Sequence, residues 1–331
     1  MRTYQRALRL VVTAALTLTL CGCGGFGKRT LKMNVAAPDG SAQGVAAETF
    51  AQILEEDSGG HWRVEIAHAQ TDADAVQTLE RLLDGKADVD LRSVTDLQKL
   101  DGRLSAFALP WLFADYQDAD RRLLNGPGAE SVCGWIREIG VEPLALAENG
   151  FLQVTNDRRP ISAPADFRGL TIRVADNAQE AALFETFGAE PVTLNWDETF
   201  SALQDGAIDG QQNALDAIRL AQVDCVQRYL TVWNACYDPL CLSVSAQLWE
   251  KLSEEDRELF QTAAREACAA EVEASRAREA ETLSAIRAGG VEVTQLTETQ
   301  IQNFRAAAAP LYDAWRERRG AETLSALGYS G

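Results

Sequence analysis

The sequence predicts an α/β protein built as two domains, and three observations carry that prediction. Strand-like and helix-like stretches alternate from Leu31 to Leu203, the pattern of stacked βα units. The chain has 331 residues; about 309 remain beyond a distinct N-terminal segment, enough for two ordinary hydrophobic cores. A third stretch, opened by Ser253, runs to Ala288 without Gly or Pro. As a helix it would span roughly 50 Å at 1.5 Å per residue, longer than a small domain, so it either bridges two domains or breaks in the middle.

The elements follow in order. Leu31 to Ala36 reads as a strand, Ser41 to Glu56 as an amphipathic helix, Trp62 to Ala67 as a strand, Ala73 to Leu83 as a helix and Val89 to Val94 as a strand. A second series has strands at Val141 to Glu148, Leu152 to Val154 and Leu170 to Val174, with helices at Ala178 to Phe187 and Glu198 to Leu203. Gly188 stands where a helix C-cap is expected, and Asp209-Gly210 marks a turn. At the long helix, Ser253 is placed to cap the free amides, and Glu254, Glu255 and Asp256 lie at the positive end of the helix dipole.

The first residues differ in kind from the rest. Arg2, Arg6 and Arg9 precede an apolar run, Leu10 to Leu20, too short to span a bilayer comfortably, so residues 1–22 read as an export signal. Leu20-Cys21-Gly22-Cys23 fits a lipobox, which would make Cys23 the lipidated first residue of the mature chain, followed by a tether over 23–30. Removing 1–22 takes away three arginines and no acid, moving the formal charge from -18 to -21. That acidity argues against nucleic-acid binding and against a peripheral grip on anionic lipid, so contact with a bilayer is expected only through the anchor. Five cysteines follow Cys23 (Cys133, Cys225, Cys236, Cys241 and Cys268), an odd number without metal-ligand spacing, and most read as small buried apolar residues.

The run from Gly169 to Asn213 is the most informative. It reads Gly-Leu-Thr-Ile-Arg-Val-Ala-Asp-Asn at 169–177, then Leu-Asn-Trp-Asp-Glu-Thr-Phe at 194–200 and Asp-Gly-Gln-Gln-Asn at 209–213. Together with Phe-Ala-Leu-Pro-Trp-Leu-Phe at 107–113, Glu-Asn-Gly-Phe at 148–151, Val-Thr-Asn at 154–156 and Leu-Ser-Glu-Glu-Asp at 252–256, it resembles the substrate-binding subunit of TRAP (tripartite ATP-independent periplasmic) transporters, the DctP-type solute receptors. The resemblance covers nearly the whole mature chain. It implies a periplasmic binding protein-like fold: two α/β domains with a ligand cleft between them, crossing hinge strands and a long bridging helix. The division expected is 31–150 plus about 239–275 for one domain and 151–238 plus about 276–331 for the other.

Arg173 stands out even without the resemblance. It follows apolar Leu170 and Ile172 at the C-terminal end of a strand, the end at which open α/β sheets bind ligands. A guanidinium there offers a planar fork of donors to a carboxylate; a structural salt bridge is the other role open to it. The resemblance implies the ligand role, and it implies that Asn213 hydrogen-bonds the ligand and that Trp196 packs on it, although Ala214 stands where the family has proline. Most relatives carry Gly-Phe-Arg after Glu-Asn, whereas this chain has Gly150-Phe151-Leu152, so one counter-charge is lost. The expected ligand is then a monocarboxylate or something less polar, with Arg92 a replacement cation from the opposite wall and Asn149 and Asp90 as polar contacts.

Catalytic constellations are scarce. His61 and His68 are the only histidines, and neither a Gly-x-Ser-x-Gly elbow nor a P-loop occurs; Gly22 to Gly27 fits Gly-x-Gly-x-x-Gly but precedes any strand. No enzyme activity, cofactor or metal is therefore expected. The partners the resemblance implies are a small organic acid and the small and large subunits of a TRAP membrane permease, with the protein outside the cytoplasm. A receptor feeding a sensor kinase or another transporter, and less readily a lipid-anchored enzyme, are the alternative readings.

Overall fold

A computed structural model describes residues 28–69 and 75–329. Cys23 and the leader lie outside the described residues. In chain order the elements are β1 (Arg29–Val35), α1 (Ala42–Asp57), β2 (Trp62–Ala67), α2 (Ala75–Leu83), β3 (Val89–Ser93), α3 (Tyr116–Ala119), α4 (Pro127–Glu138), β4 (Val141–Phe151), β5 (Gln153–Asn156), β6 (Thr171–Val174), α5 (Ala178–Thr186), β7 (Glu190–Thr193), α6 (Trp196–Gln204) and β8 (Gly210–Asn213). They continue with α7 (Leu215–Leu220), β9 (Tyr229–Val232), β10 (Tyr237–Ser245), α8 (Ala246–Lys251), α9 (Glu254–Ala288), β11 (Glu292–Gln295), α10 (Glu298–Arg319) and α11 (Glu322–Ala326).

Two sheets organise them. The first has the order β2-β1-β3-β10-β4, the second β11-β9-β5-β8-β6-β7. In the first, β1, β2 and β3 are parallel and β10 lies antiparallel between β3 and β4. The chain crosses between sheets twice at one place: β4 passes into β5 through Leu152, and β9 returns to β10 through Trp233 to Cys236. Two hydrogen bonds tie the crossings together, the Leu152 backbone N–H donating to the Cys236 carbonyl (2.8 Å) and the Trp233 indole N–H to the Leu152 carbonyl (3.1 Å). Buried Gln153 takes the Trp233 N–H on its Oε1 (2.9 Å) and donates through Nε2 to the Phe151 carbonyl (3.1 Å), so both polar ends of the crossing amide are satisfied.

Helix α9 makes the third connection and is unbroken over 35 residues. Ser253 Oγ accepts the Asp256 N–H (3.1 Å), as the capping pattern predicts. Its first half packs Phe260, Ala263, Ala264, Ala267 and Cys268 into the core of the first sheet against Phe50, Leu54 and Trp62 of the α1–β2 unit. Its far end places Ile286 in the core of the second sheet with Leu203, Ile208, Ile218 and Leu230. The small residues of the first half allow close approach of α9 to α1. A separate aromatic cluster, with Trp233 against Phe167, Phe184, Phe187 and Phe304, sits beneath the crossing strands.

Several elements differ from the sequence expectation. β4 runs to Phe151 rather than stopping at Glu148, because β10 keeps pairing with it past a bulge at Asp238/Pro239. Residues 209–210 do not make a turn before Asn213. Gly210 opens strand β8, and it must be small because a Cβ there would meet the Thr155 carbonyl oxygen at 2.2 Å. At Gly150 φ is +89° and a Cβ would approach the Tyr116 hydroxyl at 2.9 Å, so the end of the long hinge strand also requires glycine. Helix α6 starts at Trp196, ahead of the expected Glu198, with the Glu198 carboxylate reaching back to accept the Asn195 N–H (3.3 Å). Helix α2 begins at Ala75; the first residues of the expected helix lie outside the described ones. All five cysteines after Cys23 are free thiols.

Candidate functional site

The two sheets enclose a cavity of about 560 Å³ at their junction. Arg173, Trp196, Asn213 and Glu180 line it from the second sheet, Arg92, Asp96 and Ser41 from the first, and Asn149, Leu152 and Asp238 from the crossing strands. Of the sequence candidates, Arg173, Asn213, Trp196, Asn149, Arg92 and Leu152 are thus brought to one wall or another. Asp90 is not: it is buried behind Arg92, whose Nη2 donates to its Oδ1 (2.8 Å) while Nε reaches Oδ2.

Arg173 stands at the third position of β6, between β7 and β8, and is 7% exposed. Its Nε donates to the Leu194 carbonyl (2.9 Å), which orients the fork and leaves the two Nη atoms without a hydrogen-bond acceptor among the described residues. The guanidinium carbon lies 5.5 Å from the centre of the Trp196 ring, a cation–π contact that walls off one face of the charge. Burial pulls the Arg173 pKa down, while the nearby carboxylates of Glu180 and Asp96 pull it up. Asn213 ends β8, and its Oδ1 accepts the Ala214 N–H (2.9 Å), leaving the Nδ2 end for another acceptor.

Three acids lining the cavity were not singled out from the sequence. Glu180, in the first turn of α5, accepts Gln212 Nε2 (2.9 Å) and the Ala175 N–H (3.0 Å); burial raises its pKa and Arg173 opposes that rise. Its position three residues after Asn177, the cap of α5, made it look like an ordinary capping acid. Asp96 sits in the first turn of the 3₁₀ segment Val94–Lys99, and burial raises its pKa against the pull of Arg92 and Arg173. Asp238 is 7% exposed on β10; its Oδ2 accepts Asn149 Nδ2 (3.1 Å), its Oδ1 accepts Ser93 Oγ, and burial pushes its pKa up to about 7. An acid inside the apolar run from Ala235 to Leu242 was the available signal for it.

Contacts across the cleft mouth join the two sides. Lys99 Nζ lies 2.7 Å from Asp176 Oδ2, Gln98 Nε2 donates to the Asp176 carbonyl (3.2 Å), and the Ala42 N–H reaches Asp216 Oδ2 (3.4 Å). The Lys99 pair is exposed and contributes about 1 kcal/mol at most. Where α9 borders the cavity, buried Glu271 accepts the Glu148 N–H (3.1 Å). Burial first, and then the charge of Glu148, push its carboxyl up to about 8.

That shift has a measurable sign. Folded Glu271 holds its proton to about pH 8, whereas the unfolded chain releases it near 4.5. Stability from this group is therefore lost as pH rises from about 4.5 to about 8 and is level above that. Glu271→Gln, which keeps an acceptor for the Glu148 N–H, should flatten the decline and leave the variant more stable than the wild type at pH 9 by on the order of a few kcal/mol. Urea unfolding at pH 5 and pH 9 tests this; equal slopes in both proteins would refute it.

Among the described residues, no group of three or more His, Cys, Asp or Glu could hold a metal, and no helix is long and apolar enough to cross a membrane. Two sheet domains hinged by crossing strands, with a buried cationic fork facing the cavity between them, define a ligand receptor of the two-domain binding-protein class. Comparison with known proteins makes this specific: residues 33–318 match the family described as bacterial extracellular solute-binding protein, family 7, and the chain belongs to that family. A solute-binding protein of Verminephrobacter eiseniae is 29% identical over 98% of this chain and 96% of its own. A TRAP periplasmic solute-binding protein from Ralstonia eutropha, solved with (S)-2-acetolactate, superposes with a TM-score of 0.86 at 29% identity, over 91% of this chain and 98% of that one. A sugar acid binding protein from Advenella mimigardefordensis, solved with galactonate, gives 0.86 at 27% with the same coverage.

Proposed function

We propose that this receptor captures a small monocarboxylate in its cleft and hands it to the small and large subunits of a TRAP-type permease. The observation that carries the reading is Arg173: a buried guanidinium oriented through Nε, with both Nη donors unclaimed at the cavity and an indole beside it. A bidentate carboxylate satisfies that fork, and the water-poor setting strengthens the pair. Asn213 and Asn149 supply amide contacts, Trp196 and Leu152 apolar walls, and Arg92 a cation from the first domain, held in place by Asp90. Arg92 is already neutralised by Asp90, and leucine occupies position 152, so a second ligand carboxylate has no dedicated counter-charge. The ligands of the two solved relatives, acetolactate and galactonate, are also monocarboxylates.

The working division is 31–150 plus about 239–275 against 151–238 plus about 276–331, with closure assembling both walls and the ligand's differential affinity for the closed form driving it. Lipidation at Cys23 would hold the receptor at the outer face of the membrane. Thermal unfolding of residues 24–331 against mono- and dicarboxylates tests the ligand class: a ligand at 100 times its Kd should add about 2.7 kcal/mol of stability. A rise with monocarboxylates supports the reading, and a rise with dicarboxylates alone refutes it.

A further inference from the structure

We infer that the ligand carries a positively charged nitrogen as well as its carboxylate, and that the cation is received at the Asp96 and Asp238 side of the cavity. This rests on the carboxylate reading of Arg173 and adds the second half of the ligand. The charged side chains lining the cavity are seven acids against three bases. One base, Lys99, belongs to the exposed pair with Asp176 at the mouth. Arg92 is held bidentately by buried Asp90. The negative potential at Arg173 comes first from Glu180 and then from Asp96. Once these pairs are set aside five lining acids remain; Asp197 is exposed, Asp216 lies 3.9 Å from Arg278, and burial keeps Glu271 protonated to about pH 8, which leaves Asp96 and Asp238 as the acids in excess.

Asp238 is surrounded by neutral donors, the Ser93 and Thr95 hydroxyls and the Asn149 amide, and its other charged neighbours are the acids Asp96 and Glu180. Asp96 makes no hydrogen bond among the described residues and shares the fields of Arg92 and Arg173. Placing a ligand carboxylate on Arg173 adds another negative charge to this enclosure. Like charges in a poorly solvated site disfavour one another, and a hydroxyl offered to Asp96 or Asp238 makes a hydrogen bond without offsetting charge. An ammonium, iminium or quaternary nitrogen offsets it directly. The chemical class is therefore an amino, imino or betaine monocarboxylate, its two charges separated by a spacer short enough to fit between the walls.

Titration calorimetry on residues 24–331 tests this with matched probes: amino, imino and betaine monocarboxylates, each beside the hydroxy acid of the same skeleton, such as serine with glycerate and 4-aminobutyrate with 4-hydroxybutyrate. The tightest nitrogen-bearing probe should bind at least tenfold more strongly than its hydroxy counterpart. Asp238→Asn should shrink that ratio, and so should Asp96→Asn, which breaks no hydrogen bond of the described residues and serves if Asp238→Asn does not fold. A hydroxy acid that binds as tightly as its nitrogen counterpart, or a ratio unchanged in both variants, overturns the inference while leaving the carboxylate receptor standing. Binding of neither class to a folded sample overturns both.

Discussion

Arg173→Ala should weaken binding of the carboxylate ligand by about 3–5 kcal/mol, roughly two to three and a half orders of magnitude in Kd. The size follows from burial. With the guanidinium gone, the closed cleft would hold the ligand carboxylate beside Glu180 and Asp96 with no cation in the second wall, and that unpaired charge is what costs affinity. Arg173→Lys keeps a charge but loses both the planar fork and the Nε bond that aims it at the cavity from Leu194, so an intermediate loss is expected. Calorimetric titration of the three proteins measures it. An Arg173→Ala protein with wild-type affinity would reduce this residue to a structural partner of Glu180.

The second large effect is on stability. Arg276, on α9, donates to Glu148 through Nε (2.6 Å) and Nη2 (2.8 Å) and to Asp120 through Nη1 (2.9 Å) and Nη2 (2.6 Å), while its guanidinium lies 4.7 Å from the Tyr116 ring centre. Glu148 is fully buried on hinge strand β4, and Tyr237 of the neighbouring hinge strand donates its hydroxyl to the same carboxylate (2.7 Å). Arg276→Met leaves Glu148 buried beside Glu271 with a single neutral donor on its side chain. Removing one partner of such a pair costs about 3–5 kcal/mol. Urea unfolding at pH 8 should show that loss, and the double variant Arg276→Met with Glu148→Gln should recover much of it, because no charge is then stranded. A loss below about 1 kcal/mol in the single variant would refute a stabilising role for this pair.

Both residues lie where chain segments distant in sequence meet, which decides how far each was legible beforehand. Arg173 could be read because a lone arginine closing an apolar strand is a local pattern, and the flanking residues resembled a known receptor. Nothing local marked Arg276: its partners stand 128 and 156 positions away, and on a helix rich in charged residues it reads as one more solvated side chain. Asp96 and Glu180 were hidden differently. Each occupies the first turn of a capped segment, where an acid is expected for local reasons alone. That both also face the cleft depends on how β3 and β6 are set relative to each other.

The sequence by itself determined the α/β class, the order of the early strands and helices, the continuous helix after Ser253 and the fork at Arg173. These depend on periodicity, capping and strand ends, which act over a few residues. Tertiary structure alone decided that β8 is a strand rather than a turn, since Gly210 is needed only because Thr155 passes so close to it. It also decided that Asp90 supports Arg92 from behind instead of reaching the cavity, and that the cavity holds more acids than bases. Charge balance in an enclosed site is a sum over segments brought together by the crossing strands, and no stretch of the chain contains it.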